Sequence, residues 1–424
     1  MAAARRRRSR IGLACALVAA MPFASSLHAD QAPSTYEVSY DVELRPASRD
    51  ARVTITLGPH QGNVAWLRFR NDPRRYRDWK GTGDFVVSDE LVSWTPSDRG
   101  GTVRYTVALD HQRGRRGYDA RCTDDWALFR GHDIVPTVRV RAEETATSRS
   151  TLTVRAPARW KIVTGHRRVR AGTFDLADPD THFDRPTSWI AAGRLGVLRE
   201  TIAGMRVTVA GPVGEGVRRH DMLALLRLTL PKLRLILTEL PKRLTIVAAG
   251  DPMWRGGLSA PRSLYLHADR PLITSDLTSP LLHEVMHAVV GTAHDTSSDW
   301  IVEGLAEYYS LELLVRAKAV SRRRHRRALE KIATRGRTAD TLTTSDARGA
   351  VTARAVTVLH ALDTEIRAAT DERRSLDSVL VRLAGDPQPI TGARLRAVAE
   401  EVAGRDLATF FATHVGAIEE PPGA

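Results

Sequence analysis

The sequence predicts an α+β protein in which an N-terminal antiparallel β-sandwich precedes a mixed middle region and a helical C-terminal region. Three observations predict it. Between residues 35 and 200 the chain is a series of short alternating runs (YEVSYDVEL, ARVTITL, NVAWLRF, GTVRYTVAL, TVRVRA, STLTVRAP) separated by Gly, Pro, Asp and Asn clusters. At 218–240 the spacing turns helical, and RLTIVAAG and SLYLHAD follow as strand-like runs. From residue 300 onward the pattern is mostly helical.

In chain order, residues 1–29 read as a signal peptide, 30–200 as the β domain, 201–335 as the middle domain and 336–424 as the helical domain. The leader joins a basic stretch, MAAARRRRSR, to an apolar one, IGLACALVAAMPFA, which is too short to span a bilayer. Export with cleavage after Ser26 or Ala29 is the expectation; the arginine run is only a weak twin-arginine signal. No later segment has eighteen apolar residues without charge, so no transmembrane anchor is expected. Pro231 interrupts the helical run at 218–240. Ser345 to Gly349 and Gly385 to Pro389 mark breaks between helices, and EEPPGA reads as a frayed tail.

With 42% hydrophobic and 26% charged residues over 424 positions, the composition is that of a soluble globular chain of two or three domains. Removing the five leader arginines from the formal charge of +14 leaves +9, which is still basic. The run RRRHRR (Arg322 to Arg327) is read as a solvated helix face, and no nucleic acid partner is expected because no binding motif accompanies it. Cys15 falls in the leader, which leaves Cys122 alone, so no intrachain disulfide is expected.

Residues 280–309, PLLHEVMHAVVGTAHDTSSDWIVEGLAEYY, carry the chemistry. Ser279 is a good N-cap and Pro280 suits the first helical position, so a helix should start there. His283 and His287 stand four apart on it and project from one face, away from Leu281, Leu282, Val285, Val289 and Val290. Zinc takes neutral imidazoles at about 2 Å, which this spacing can supply from rigid backbone. Glu284, beside the first histidine, can then act as general base toward a zinc-activated water without being a ligand. A catalytic zinc needs a third protein ligand, and Glu303 in the following helix offers one. Glu307, a turn further on, can hold a ligating histidine through its other ring nitrogen. Gly304, which costs about 1 kcal/mol in a helix relative to alanine, fits a close approach of two helices.

The run HEVMHAVVGTAHD also approaches the metzincin pattern HExxHxxGxxH, but Gly291 and His294 each fall one place late. Metzincins need a methionine turn downstream, and the last methionine here is Met286. His294 is therefore read as a loop residue.

The pair HEVMH and WIVEGLAEYY resembles the gluzincin zinc metallopeptidases, and within them most nearly the glycyl aminopeptidase family. FDRPTSWIAAGRLG, LHALDTEIRAATDERRSLDSVLVRL and DLATFFATHVGAIEEPP extend the resemblance over most of residues 35–421. It implies a β domain, a thermolysin-like zinc peptidase domain and a helical domain closing the cleft. It also implies Zn2+ as cofactor and a peptide or protein as substrate, with His283, His287 and Glu303 as ligands, Glu284 as base and Glu307 behind the ligands. Three departures are visible. No PDZ domain follows before Ala424, GGLSAPRS (Gly256 to Ser263) lacks the amine-binding glutamate of aminopeptidases, and no tyrosine occurs after Tyr309. The family's oxyanion-stabilising tyrosine would fall near Thr352, which leaves His360 and Arg354 as substitute donors. Tyr308 and Tyr309 are read as packing residues. These departures keep a second reading open, that of a peptidase-fold protein acting as an envelope binding module; exo- or endopeptidase action stays unassigned.

Overall fold

In the computed structural model, which describes residues 35–114, 117–176, 182–291, 297–344, 347–386 and 388–415, the alternation of the first run becomes the strand Thr35–Arg45. Its Tyr36, Val38, Tyr40, Val42 and Leu44 are all buried, as a period of two requires of a half-buried strand. The strand pairs antiparallel with Asp50–Leu57 and parallel with Thr147–Arg155. This differs from the all-antiparallel expectation. A parallel partner needs a long crossover, and the intervening residues supply it by building the other strands of the domain.

Three sheets of seven, five and four strands share the N-terminal core, where the sequence reading expected a sandwich. Val42 and Val53 of the first, Phe129 and Ile190 of the second, and Leu67 and Trp94 of the third meet in one apolar cluster. Cys122 lies in that cluster, and burial, with the Asp110 carboxylate adding to it, pushes its thiol up to about 12. It is an inert packing group.

The chain changes sheet at Arg194. Trp189–Gly193 still pairs with Trp126–Arg130, whereas Leu195–Ile202 pairs with Met205–Pro212 in a fourth sheet, of five strands. That sheet continues through Arg243–Ala249 and Ser263–His267, both parallel to Met205–Pro212, and ends on the antiparallel edge strand Gly257–Ala260. The helix Arg219–Ile236 makes the first crossover and runs through Pro231 without a break. Leu226, Leu230 and Leu233 are fully buried beside that proline, so packing compensates for the hydrogen bond it removes.

One face of this sheet packs on helices and the other on the β domain. The helical core is continuous from Ile202 to Val415, so the middle and C-terminal regions are built around a single apolar interior. Two of its helices approach closely at Gly304 in the helix Asp299–Arg316. An added Cβ there would lie 2.8 Å from Ala355 Cβ and 3.0 Å from Leu359 Cδ1, both in the helix Ala350–Ala369. Gly304→Val should lower unfolding stability by about 1–3 kcal/mol through overpacking, read as a shift of the urea midpoint. Gly304→Ala should cost less, because alanine returns about 1 kcal/mol of helix propensity; a valine variant as stable as wild type would contradict this packing. Among the described residues no helix is long and apolar enough to cross a membrane.

Candidate metal centre

The histidine helix begins where its cap dictates. The Ser279 hydroxyl accepts the Leu282 N–H at 3.2 Å, Pro280 occupies the first turn, and the helix Pro280–Val290 ends at Gly291 with φ of 92°. Leu281, Leu282, Val285 and Met286 are buried and fix its rotation. That rotation turns His283 and His287 toward the helix Asp299–Arg316, which brings Glu303 and Glu307. His294 lies outside the described residues.

Three side chains converge. His283 Nε2 lies 3.2 Å from Glu303 Oε2, His287 Nε2 lies 3.3 Å from Glu303 Oε1, and the two Nε2 atoms are 3.0 Å apart. Among the described residues these three form the group of nitrogen and carboxylate donors close enough to hold a metal. Nitrogen and oxygen donors at about 2.0–2.1 Å from a tetrahedral zinc are about 3.3 Å from one another. The present spacing thus fits zinc without rearrangement. Glu307 Oε2 is 3.1 Å from His283 Nδ1, which holds a ring proton on Nδ1 and would leave Nε2 to offer its lone pair to a metal that displaced the proton there.

The charges respond to this crowding. Burial disfavours a charged His283, but the hydrogen bonds to Glu303 and Glu307 outweigh it and hold its pKa well above the usual histidine value. Glu303 is buried as well, yet the two imidazoles hold its carboxyl well below the usual range. Glu284 differs: burial pushes its pKa up against the pull of His283 and His287. Its carboxylate accepts a hydrogen bond from the Ser259 backbone and lies over Gly257, where a Cβ would come within 2.6 Å of Oε1.

These groups face a cavity of about 470 Å³ between the histidine helix, the edge strand Gly257–Ala260 and the start of the glutamate helix. The β domain forms part of the wall. Tyr118 donates its N–H to the Pro252 carbonyl at 3.1 Å and accepts that of Trp254 at 2.8 Å, and Arg113 stacks on the Trp254 ring at 4.8 Å. Arg113, Trp254 and Arg348 all line the cavity, and the sequence had singled out none of them.

The two oxyanion candidates are placed elsewhere. Arg354 donates from Nη1 to the carbonyls of Ala339 and Asp340, at 2.9 and 3.0 Å, and His360 is exposed with its ring 6.4 Å from that of Tyr308. Neither lines the cavity. Both stand inside the helix Ala350–Ala369, whereas Arg348 precedes it and reaches the cavity from the connecting segment. Thr352 is occupied by a 2.9 Å hydrogen bond to the Ala347 carbonyl. Tyr308 and Tyr309 are buried, and the Tyr309 hydroxyl donates to Asp377 at 3.0 Å.

No family model and no curated protein matches the chain by sequence. Among solved structures it is similar to the crystal structure of an aminopeptidase N family protein from Idiomarina loihiensis. The two share 15% identity with a TM-score of 0.72, over 90% of this chain and 76% of that one. At this identity the likeness is one of fold.

Proposed function

We propose that the chain is an exported zinc-dependent metallopeptidase in which His283, His287 and Glu303 hold the metal and Glu284 is the general base. The observation that carries this reading is the convergence of two imidazole nitrogens and one carboxylate at 3.0–3.3 Å from one another, with a buried carboxylate next in sequence to the first histidine. The fold likeness to an aminopeptidase N family protein supports it. Zinc held there would polarise the scissile carbonyl as a Lewis acid and bring the pKa of water toward neutrality. Glu307 orients His283, and Glu284, with a pKa raised by burial, is suited to take a proton and pass it to the leaving amine. The Gly257–Ala260 edge strand contributes the Ser259 backbone that holds Glu284 in place.

Arg348 is the cationic side chain on the cavity wall nearest the helix start, and it takes the role of stabilising the oxyanion. Arg348→Ala should lower turnover by about 10²–10³ with unchanged zinc content, while Arg354→Ala and His360→Ala should leave turnover near wild type. The reverse pattern would return the role to the helix residues. Export rests on the leader alone. The N-terminus of the exported protein should lie between about residue 25 and residue 32, and a mature protein starting at Met1 would overturn it.

Digestion of a broad peptide library by the zinc-loaded chain, with and without a chelator, tests the activity and shows whether cleavage is internal or terminal. Chelator-sensitive cleavage is expected. A chain that holds zinc and cleaves nothing would favour the binding-module reading, in which the same cavity captures peptides without hydrolysing them.

A further inference from the structure

The face of the five-stranded sheet that meets the β domain changes character along its length. At one end Val197, Ala210 and Val247 pack against Trp189 and Tyr265 in an apolar seam. Further along the same strands the register pairs Arg199 with Thr208, Arg206 with Arg243, and Thr208 with Thr245. Positions two apart on a strand share a face, so these five side chains continue the face that carries the apolar seam. Opposite them runs the β-domain segment from Ile162 to Arg168, and the two surfaces enclose a cavity of about 240 Å³.

Arg168, Arg199, Arg206 and Arg243 line this cavity. Among the described residues no carboxylate is paired with Arg199, Arg206 or Arg243. Partial burial, reinforced by the neighbouring Arg206 and Arg167 cations, lowers the pKa of Arg243, so Arg206 and Arg243 repel one another. Two groups on the β-domain side are also without partners. Thr164 Oγ1 and His166 Nδ1 make no hydrogen bond, and their residues are 8% and 7% exposed. His166 Nε2 accepts the Ser188 N–H at 3.4 Å, so the neutral ring carries its proton on Nδ1, as a donor with no acceptor. Buried donors without acceptors are rare in folded proteins, and here the two residues that carry them line the same cavity as the exposed Arg199 and Arg206 and the half-buried Arg243.

We propose that this seam cavity is a binding site for a phosphate group, either free or carried by a small ester, recognised by the guanidinium forks of Arg199, Arg206 and Arg243 and by donors from Thr164 and His166. Guanidinium matches phosphate oxygens bidentately, and hydroxyl and imidazole N–H complete the shell. The volume is below the 300–1,000 Å³ or so of drug-sized ligand sites, which suits a phosphate head rather than a whole nucleotide. The site shares no lining residue with the metal-centre cavity. Since its walls come from both the β domain and the sheet, an occupied site also ties the two together and raises unfolding stability by linkage.

Calorimetric titration of the full mature chain with inorganic phosphate, glycerol phosphate and sulfate, at an ionic strength fixed with sodium chloride, tests the proposal. Saturable binding of one phosphate per chain is expected, weakened by about tenfold or more in Arg206→Gln/Arg243→Gln and unchanged in Arg322→Gln on the exposed basic helix. Tighter binding of glycerol phosphate would identify an ester as the ligand, and tighter binding of inorganic phosphate the free anion. If the double variant fails to fold by circular dichroism, Arg199→Gln and Thr164→Val, on different strands, must each weaken binding. No saturable binding at millimolar phosphate, or an equal loss in Arg322→Gln, would overturn the site, and neither result bears on the peptidase reading.

Discussion

Glu284→Gln should lower peptide hydrolysis by about 10²–10⁴-fold and leave the bound zinc in place. The substitution keeps the shape of a side chain that is buried beside the ligands but is not one of the three converging donors. What it removes is the capacity to accept a proton. The loss should therefore appear in kcat, with zinc content by metal analysis equal to wild type. Gly257→Ala offers a second way to reach the same group, because the new Cβ would meet Glu284 Oε1 at 2.6 Å and push the carboxylate from its position. It should reduce turnover with zinc retained. A glutamine variant that cleaves peptides at the wild-type rate would remove Glu284 from the mechanism.

The donors that converge here were legible because their placement is local. A Ser–Pro start fixes the phase of the histidine helix, four residues bring the second imidazole over the first, and the next helix carries its carboxylate one turn inside its start. Arg113, Trp254 and Arg348 were not legible, because each reaches the cavity through tertiary packing: two from loops held together by the Tyr118 backbone, and one from the segment ahead of the helix Ala350–Ala369. Arg354 and His360 were selected by their position along that helix without its rotation. The helix turns Ala355 and Leu359 onto Gly304, and at about 100° per residue their neighbours point elsewhere. The same limit applies to the β domain. Alternation showed which side of each strand is buried, yet a half-buried strand alternates whether its neighbour is parallel or antiparallel, so the pairing of Thr35–Arg45 with Thr147–Arg155 left no trace in the pattern.

The metal centre itself is tested most directly by zinc stoichiometry across four chains: wild type, Glu303→Ala, Glu307→Ala and His294→Ala. The Glu303 carboxylate touches both Nε2 atoms, so its removal leaves only two protein donors. Wild type should hold one zinc per chain, and Glu303→Ala should lose it on dialysis while staying folded by circular dichroism. Glu307 acts only through His283 Nδ1, and Glu307→Ala should weaken affinity by about 10–100-fold. His294→Ala should bind as wild type does. A Glu303→Ala chain that keeps its zinc while His294→Ala loses it would contradict the site described above.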